Sequence, residues 1–331
     1  MDKIERAVDD IRRQWVPDRR LGVFNISLSP ERLSGATSSR DALEALRKFA
    51  RGAGLAEEVR LLPDAAVGTD AAAVVTAALA PLLGEPQLAA PRVSEALHGE
   101  GLAILEQQGE WLRVRGGDDY VAWIHRGYVA TGPNEWARDW AERATARALS
   151  PELQMGTGER RRLPTGARLA LRRDGTVELA DGQRAAVTGG AVRPEGELRV
   201  EARHLALPEL AQKWYSGAPY LWGGRTEWGI DCSGLAQAVY AARGIRLPRD
   251  SDQQFGAGRE VELSGDGATY EAGDLLFFTD GGRVSHVALW AGAGRIVHAA
   301  LSRGGVGGDH LFGDEARMAR LRGNLVGVRR M

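Results

Sequence analysis

Apolar and polar positions along the chain change period several times. GVFNISLS (22–29) alternates as a strand does, and DALEALRKFARGAG (41–54) has helical spacing ending at glycine. EEVRLLPD (57–64) reads as a second strand, making residues 1–86 a small α/β N-terminal unit with no chemical motif. GEPQLAAP (84–91) reads as a linker. Over 87–131 the apolar runs become short and alternating, separated by the turn signals HGEG, QQGE and RGGDD, a pattern predicting a small β-barrel. Residues 134–149 have helical spacing, and 163–194 show another set of short strands between DG and GG turns. A helical connection and a second barrel therefore occupy 132–204. From 205 onward the order is a helix (LPELAQKWYSG), an aromatic-glycine loop (YLWGGRTEWGI), an amphipathic helix starting near Cys232, and three strand-like runs. Those runs are GDLLFF, VSHVALWAG and GRIVHAAL, so 205–331 reads as an α+β domain in which a helix packs on an antiparallel sheet.

Composition narrows the function classes. The 331 residues exceed a usual single domain, while 44% hydrophobic and 26% charged content are ordinary for globular protein. A net charge of -1 gives no electrostatic footprint for nucleic acid or a membrane surface. One cysteine excludes an intrachain disulfide. The start, MDKIERAVDDIRRQW, is charged throughout and lacks the apolar run of a secretory signal. The alanine-rich run 71–83 is too short to span a bilayer, so a cytoplasmic protein is expected.

That single cysteine, Cys232, stands where a loop enters a helix. Unpaired N–H groups and the positive end of the helix dipole favour a negative charge there, which predicts a lowered thiol pKa. The competing reading is a small buried hydrophobe. A nucleophilic cysteine needs a base, and the base needs an orienting group. His286 and His298 lie on strands joined by the turn AGAGR, which places the two imidazoles side by side. One cysteine and two histidines do not make a closed structural metal site, and neither metal nor cofactor is expected.

YLWGG, DCSGL, LPRDSDQQ, GDLLFF, SHVALW and IVHA follow one another in order, and together they resemble the NlpC/p60 family of cell-wall cysteine peptidases. The resemblance covers 205–331 and implies a papain-like fold with a Cys-His-His triad. With two SH3-like barrels in front, it extends to the γ-D-glutamyl-L-diamino acid endopeptidase branch, which acts on murein peptides. Carried over residue by residue, it makes Cys232 the nucleophile, His286 the general base and His298 the group orienting it. Tyr220 matches a hydroxyl near the thiol that helps the Cys232 amide hold the oxyanion. Asp231 and Ser233 match contacts to the D-glutamyl group, Trp222 a pocket wall, and Asp250 and Ser251 the segment closing that pocket. Asp250 also reads as a helix N-cap. Glu100 and Tyr120 of the first barrel resemble contacts to the free amine of an N-terminal L-Ala, which implies release of L-Ala-γ-D-Glu through a thioester. Other readings are a papain-like amidase or acyltransferase acting on other wall peptides, and a wall-binding module with an inert thiol. The preference between diaminopimelate and lysine and the oligomeric state are not encoded in any motif.

Overall fold

Two helices and three strands open the chain. In the computed structural model, which describes residues 3–331, the helices Lys3–Trp15 and Arg40–Ala53 pack on a sheet of Phe24–Leu28, Arg32–Thr37 and Ala56–Leu61. Ser39 starts the second helix by accepting the Ala42 N–H, and Gly54, at φ +70°, ends it. Leu43, Leu46 and Ala50 carry its buried face onto Leu33 and Val59. The predicted strand, helix and strand are present; the first helix and the strand Arg32–Thr37 are additions to them.

The alanine-rich run is not part of this layer. It supplies the strands Ala72–Val75 and Leu79–Leu83. Ala72–Val75 lies inside an antiparallel sheet, between Val129–Gly132 and Gly101–Gln108, with Trp111–Arg115 and Val121–His125 following. The barrel strands therefore begin well before residue 87. All four residues of Ala72–Val75 are buried, so the segment lacks the alternation that would mark it as a strand. The first compact unit runs to Val75 and adds 82–91 and 101–139; the second comprises 76–81, 92–100 and 140–331.

The helix expected over 134–149 stops at Arg143, and Ala146–Met155 is a strand instead. Ala146 and Ala148 alternate inward, a period-2 pattern that alanine's helical propensity disguises in the sequence. That strand pairs with both Arg168–Leu171 and Arg184–Pro194. Val177–Glu178 joins those two, closing a ring around Leu153, Leu163, Leu169, Val177 and Leu179.

The C-terminal part builds a six-stranded antiparallel sheet. Its order is Arg259–Val261, Leu325–Arg330, Leu275–Asp280, Arg283–Gly292, Arg295–Ala300 and Gly305–His310. Leu275, Phe277, Val287, Leu289, Val297 and Ala299 share one core with residues of the helices Leu207–Tyr215 and Cys232–Ala242. Leu276, Phe278, Ala288, Trp290 and Ile296 form the other with Val261, Tyr270 and Leu311. Burial on both faces fixes the register, because a one-residue slip would exchange the two cores. That register sets the positions of His286, His298 and Asp309, the site residues the sheet carries.

Candidate active site

The cysteine helix starts at an anchored end. Asp231 is its N-cap, with Oδ1 accepting the Gly234 N–H at 2.7 Å and Oδ2 accepting the Gly223 N–H at 2.9 Å. Arg249, 1% exposed, donates to both oxygens at 3.0 and 2.8 Å, and its Nε reaches the Ser94 hydroxyl at 2.9 Å. Ser233 donates its hydroxyl to Asp231 and accepts from Arg249. Gly234 is required by contact: a Cβ there would stand 2.3 Å from the Gly224 carbonyl oxygen. The aromatic-glycine loop thus lies flush against the first turn of the helix.

Cys232 is buried in this turn, with the N–H groups of Ser233 and Val287 directed at the sulfur. The expected lowering of its pKa does not occur. Burial, aided by the Asp231 charge, outweighs those N–H groups and Arg249 and pushes the thiol up to about 12. His286 moves the other way, to about 3, through burial and the neighbouring His298. The resting pair is a neutral thiol and a neutral imidazole.

A β-bulge aims His286. Phe278 pairs with His286 and Thr279 with Val284, leaving Ser285 as the extra residue. On the neighbouring strand Leu289 faces Val297, a register that sets His298 diagonal to His286. The imidazoles meet, His286 Nε2 lying 2.8 Å from His298 Nδ1. His298 Nε2 in turn lies 2.9 Å from Asp309 Oδ2.

The other predicted residues are placed as follows. Tyr220 is half-buried, and burial, with the negative charge of Asp231, raises its pKa, so its hydroxyl is a donor at neutral pH. Trp222 is 66% exposed and takes no part in the core. Asp250 precedes the short helix Ser251–Phe255, its N–H donating to Gln253 Oε1, while Ser251 is buried. Gln254 ties this helix to the site by donating to the Ser233 and Pro248 carbonyls. Glu100 accepts both terminal nitrogens of Arg225, at 2.8 and 3.0 Å, and the Leu97 N–H. A guanidinium therefore occupies the carboxylate to which a substrate amine was assigned. Tyr120 belongs to the first unit, where it is buried.

Two stretches of the chain match family models. Residues 217–321 match the NlpC/P60 family model, and 82–127 match the bacterial dipeptidyl-peptidase Sh3 domain model. The chain carries an NlpC/P60 hydrolase domain. In front of this NlpC/P60 domain lies an SH3 domain. The chain is 42% identical over 89 residues to the gamma-D-glutamyl-L-lysine dipeptidyl-peptidase of Bacillus subtilis (strain 168), covering 26% of this chain and 29% of that protein. Its namesake in Bacillus cereus (strain ATCC 10987 / NRS 248) is 26% identical over 229 residues, 62% of this chain and 66% of that protein. Dipeptidyl-peptidase 6 of Lysinibacillus sphaericus is 29% identical over 247 residues, 69% and 88% of the two chains. The first two matches thus span less than two thirds of those relatives. The crystal structure of an NlpC/P60 family protein from Bacillus cereus ATCC 10987 superposes with a TM-score of 0.64 at 20% identity, covering 78% of this chain and 99% of that one.

Arg249 and Asp309 are the site residues that sequence reasoning missed. Arg249 lies inside LPRDSDQQ, beside the Asp250 and Ser251 that were singled out. Asp309 could have been found by pairing: His298 faces Gly307 across the hairpin, so Asp309 shares its side of the sheet.

Proposed function

We propose that this chain hydrolyses the γ-D-glutamyl–L-diamino-acid bond of murein peptides with a free N-terminal L-Ala, releasing L-Ala-γ-D-Glu. The observation that carries this reading is the 2.8 Å contact between His286 and His298, on paired strands against a cysteine at a helix start. The names of the dipeptidyl-peptidase relatives supply the bond and the dipeptide product. In this mechanism the Cys232 proton passes to His286 as sulfur bonds to the γ-carbonyl carbon. The Cys232 N–H, which has no acceptor inside the helix, and the Tyr220 hydroxyl donate to the oxyanion. Collapse breaks the C–N bond, and His286 returns its proton to the departing amine. Water then gives a proton to His286 and attacks the thioester carbon; the acid leaves and the thiol is restored. His298 holds the imidazole in orientation.

Asp231, Ser233, Trp222 and Ser251 are assigned to the D-glutamyl part, and Asp250 and Glu100 to the terminal amine. Arg225 fixes where the Glu100 carboxylate stands. The closed ring of 146–194 is read as a second SH3-like barrel, following the SH3 domain in the chain. The test is incubation with L-Ala-γ-D-Glu-meso-diaminopimelate and its L-lysine counterpart, followed by mass spectrometry. L-Ala-γ-D-Glu is expected from at least one, none from Cys232→Ala, and little once the terminal L-Ala is N-acetylated. Intact free-amine peptides, or turnover by Cys232→Ala, would overturn the reading.

A further inference from the structure

Behind the two histidines lies a carboxylate that the Cys-His-His reading does not use. Asp309 sits on the last strand of the sheet, and its side chain is 6% exposed. Oδ2 meets His298 Nε2 at 2.9 Å. Oδ1 accepts from Arg303 and, at 2.9 Å, from Arg317. Among the described residues, the other acidic partner of these arginines is Glu315, 3.0 Å from Arg317. Gly307, directly opposite His298, leaves the passage open: a Cβ there would stand 2.5 Å from the Arg303 guanidinium. Strand, glycine and two arginines together hold one carboxylate against one imidazole nitrogen.

We propose that Asp309 is a positioning residue whose ionised carboxylate fixes the proton on His298 Nε2 and thereby decides which nitrogen of His286 is the base. The inference rests on the reading of Cys232 and His286 as nucleophile and base. An ionised carboxylate can only accept, so Nε2 of His298 must carry a hydrogen. With that single ring proton, His298 has a bare Nδ1, which can only accept, so His286 must direct its Nε2–H there across 2.8 Å. That leaves His286 with a bare Nδ1, the ring nitrogen nearer its own backbone. The next residue, Val287, directs its N–H at the Cys232 sulfur. Burial raises the Asp309 pKa, but the His298 bond, and after it the Arg303 and Arg317 charges, outweigh burial and hold it below the usual carboxylate range, so it keeps accepting at neutral pH.

The relay has a directional consequence. In Asp309→Asn the arginines, which only donate, claim the amide oxygen and turn the NH₂ toward His298. His298 must then accept at Nε2 and carry its proton on Nδ1, and His286 is left with its proton on the nitrogen needed as base. Asp309→Ala removes the instruction without reversing it. Expected results are a kcat reduction of at least about 100-fold in Asp309→Asn with KM within about threefold, as a wrong histidine tautomer produces elsewhere. Asp309→Ala should be less impaired, and iodoacetamide labelling of Cys232 should fall in the same order.

The decisive measurement needs no variant and no substrate. Nitrogen-15 NMR of histidine-labelled wild-type protein should find His298 and His286 both protonated at Nε2 and bare at Nδ1. A wild-type His298 protonated at Nδ1, or an Asp309→Asn protein with kcat within threefold of wild type, would overturn the proposal. Failure of the wild type to cleave either murein tripeptide would count against the functional reading alone, because the tautomers are read without turnover.

Discussion

Cys232 and His286 have shifted in the directions that keep both neutral. For a thiol held near 12, the thiolate fraction rises about tenfold with each unit that the pH climbs toward that value, so labelling by iodoacetamide should keep climbing through pH 9. A plateau by about pH 8 would show a preformed thiolate–imidazolium pair instead. His286→Ala should lose about 10² to 10⁴ in kcat, the range that a positioned base supplies. His298→Gln should keep more, since a glutamine can accept from His286 with its oxygen and donate to Asp309 with its amide. Equal loss in the two variants, measured on the same tripeptide, would remove the orienting role of His298. At this scale the pairing of His286 with His298 was legible because histidines are few in the chain and their strands adjacent. The thiol's pKa was not, because a helix start is visible in sequence and the depth of burial over it is not.

The cysteine helix depends on a buried ion pair at its start. Asp231 and Arg249 lie 18 residues apart, on a loop end and ahead of a short helix, and no periodicity links them. Arg249→Met would strand the Asp231 carboxylate without its cation, a loss of about 3–5 kcal/mol for a pair this deeply buried. The check is a urea titration, where the midpoint should fall with the slope unchanged. A variant within about 0.5 kcal/mol of wild type would show that the pair is not what seats the helix. Asp250 was legible as a cap because cap chemistry is local; Arg249 was not, because its partners are Asp231, Ser233 and the distant Ser94.

Across the whole molecule, the buried His98 and the partly exposed His286 couple folding to acidity. His98 sits within hydrogen-bond reach of the Thr76 and Ala77 carbonyls through Nδ1 and accepts the Ala180 N–H at Nε2, and burial lowers its pKa. His286 is lowered to about 3. Both have folded-state values below the unfolded value near 6.5, so the unfolded chain binds more protons in between and stability drops as pH falls from about 6.5 toward 3. Thermal unfolding between pH 7 and 4 should show that slope, and His98→Gln should flatten it. An unchanged slope in the variant would place the acid sensitivity elsewhere. The order of an SH3 domain ahead of the NlpC/P60 domain was legible from where short strands replace longer patterns. The sheet order was not: Leu325–Arg330 inserts between Arg259–Val261 and Leu275–Asp280, a pairing fixed by distant contacts such as Arg330 with Asp274.

The solitary, buried state of Cys232 also sets how the protein meets oxidants. Little thiolate at neutral pH makes peroxide attack on the sulfur slow. Once a sulfenic acid forms, however, the chain holds no second cysteine to resolve it as an internal disulfide. Recovery then depends on a small external thiol reaching the sulfur of a residue that is 7% exposed.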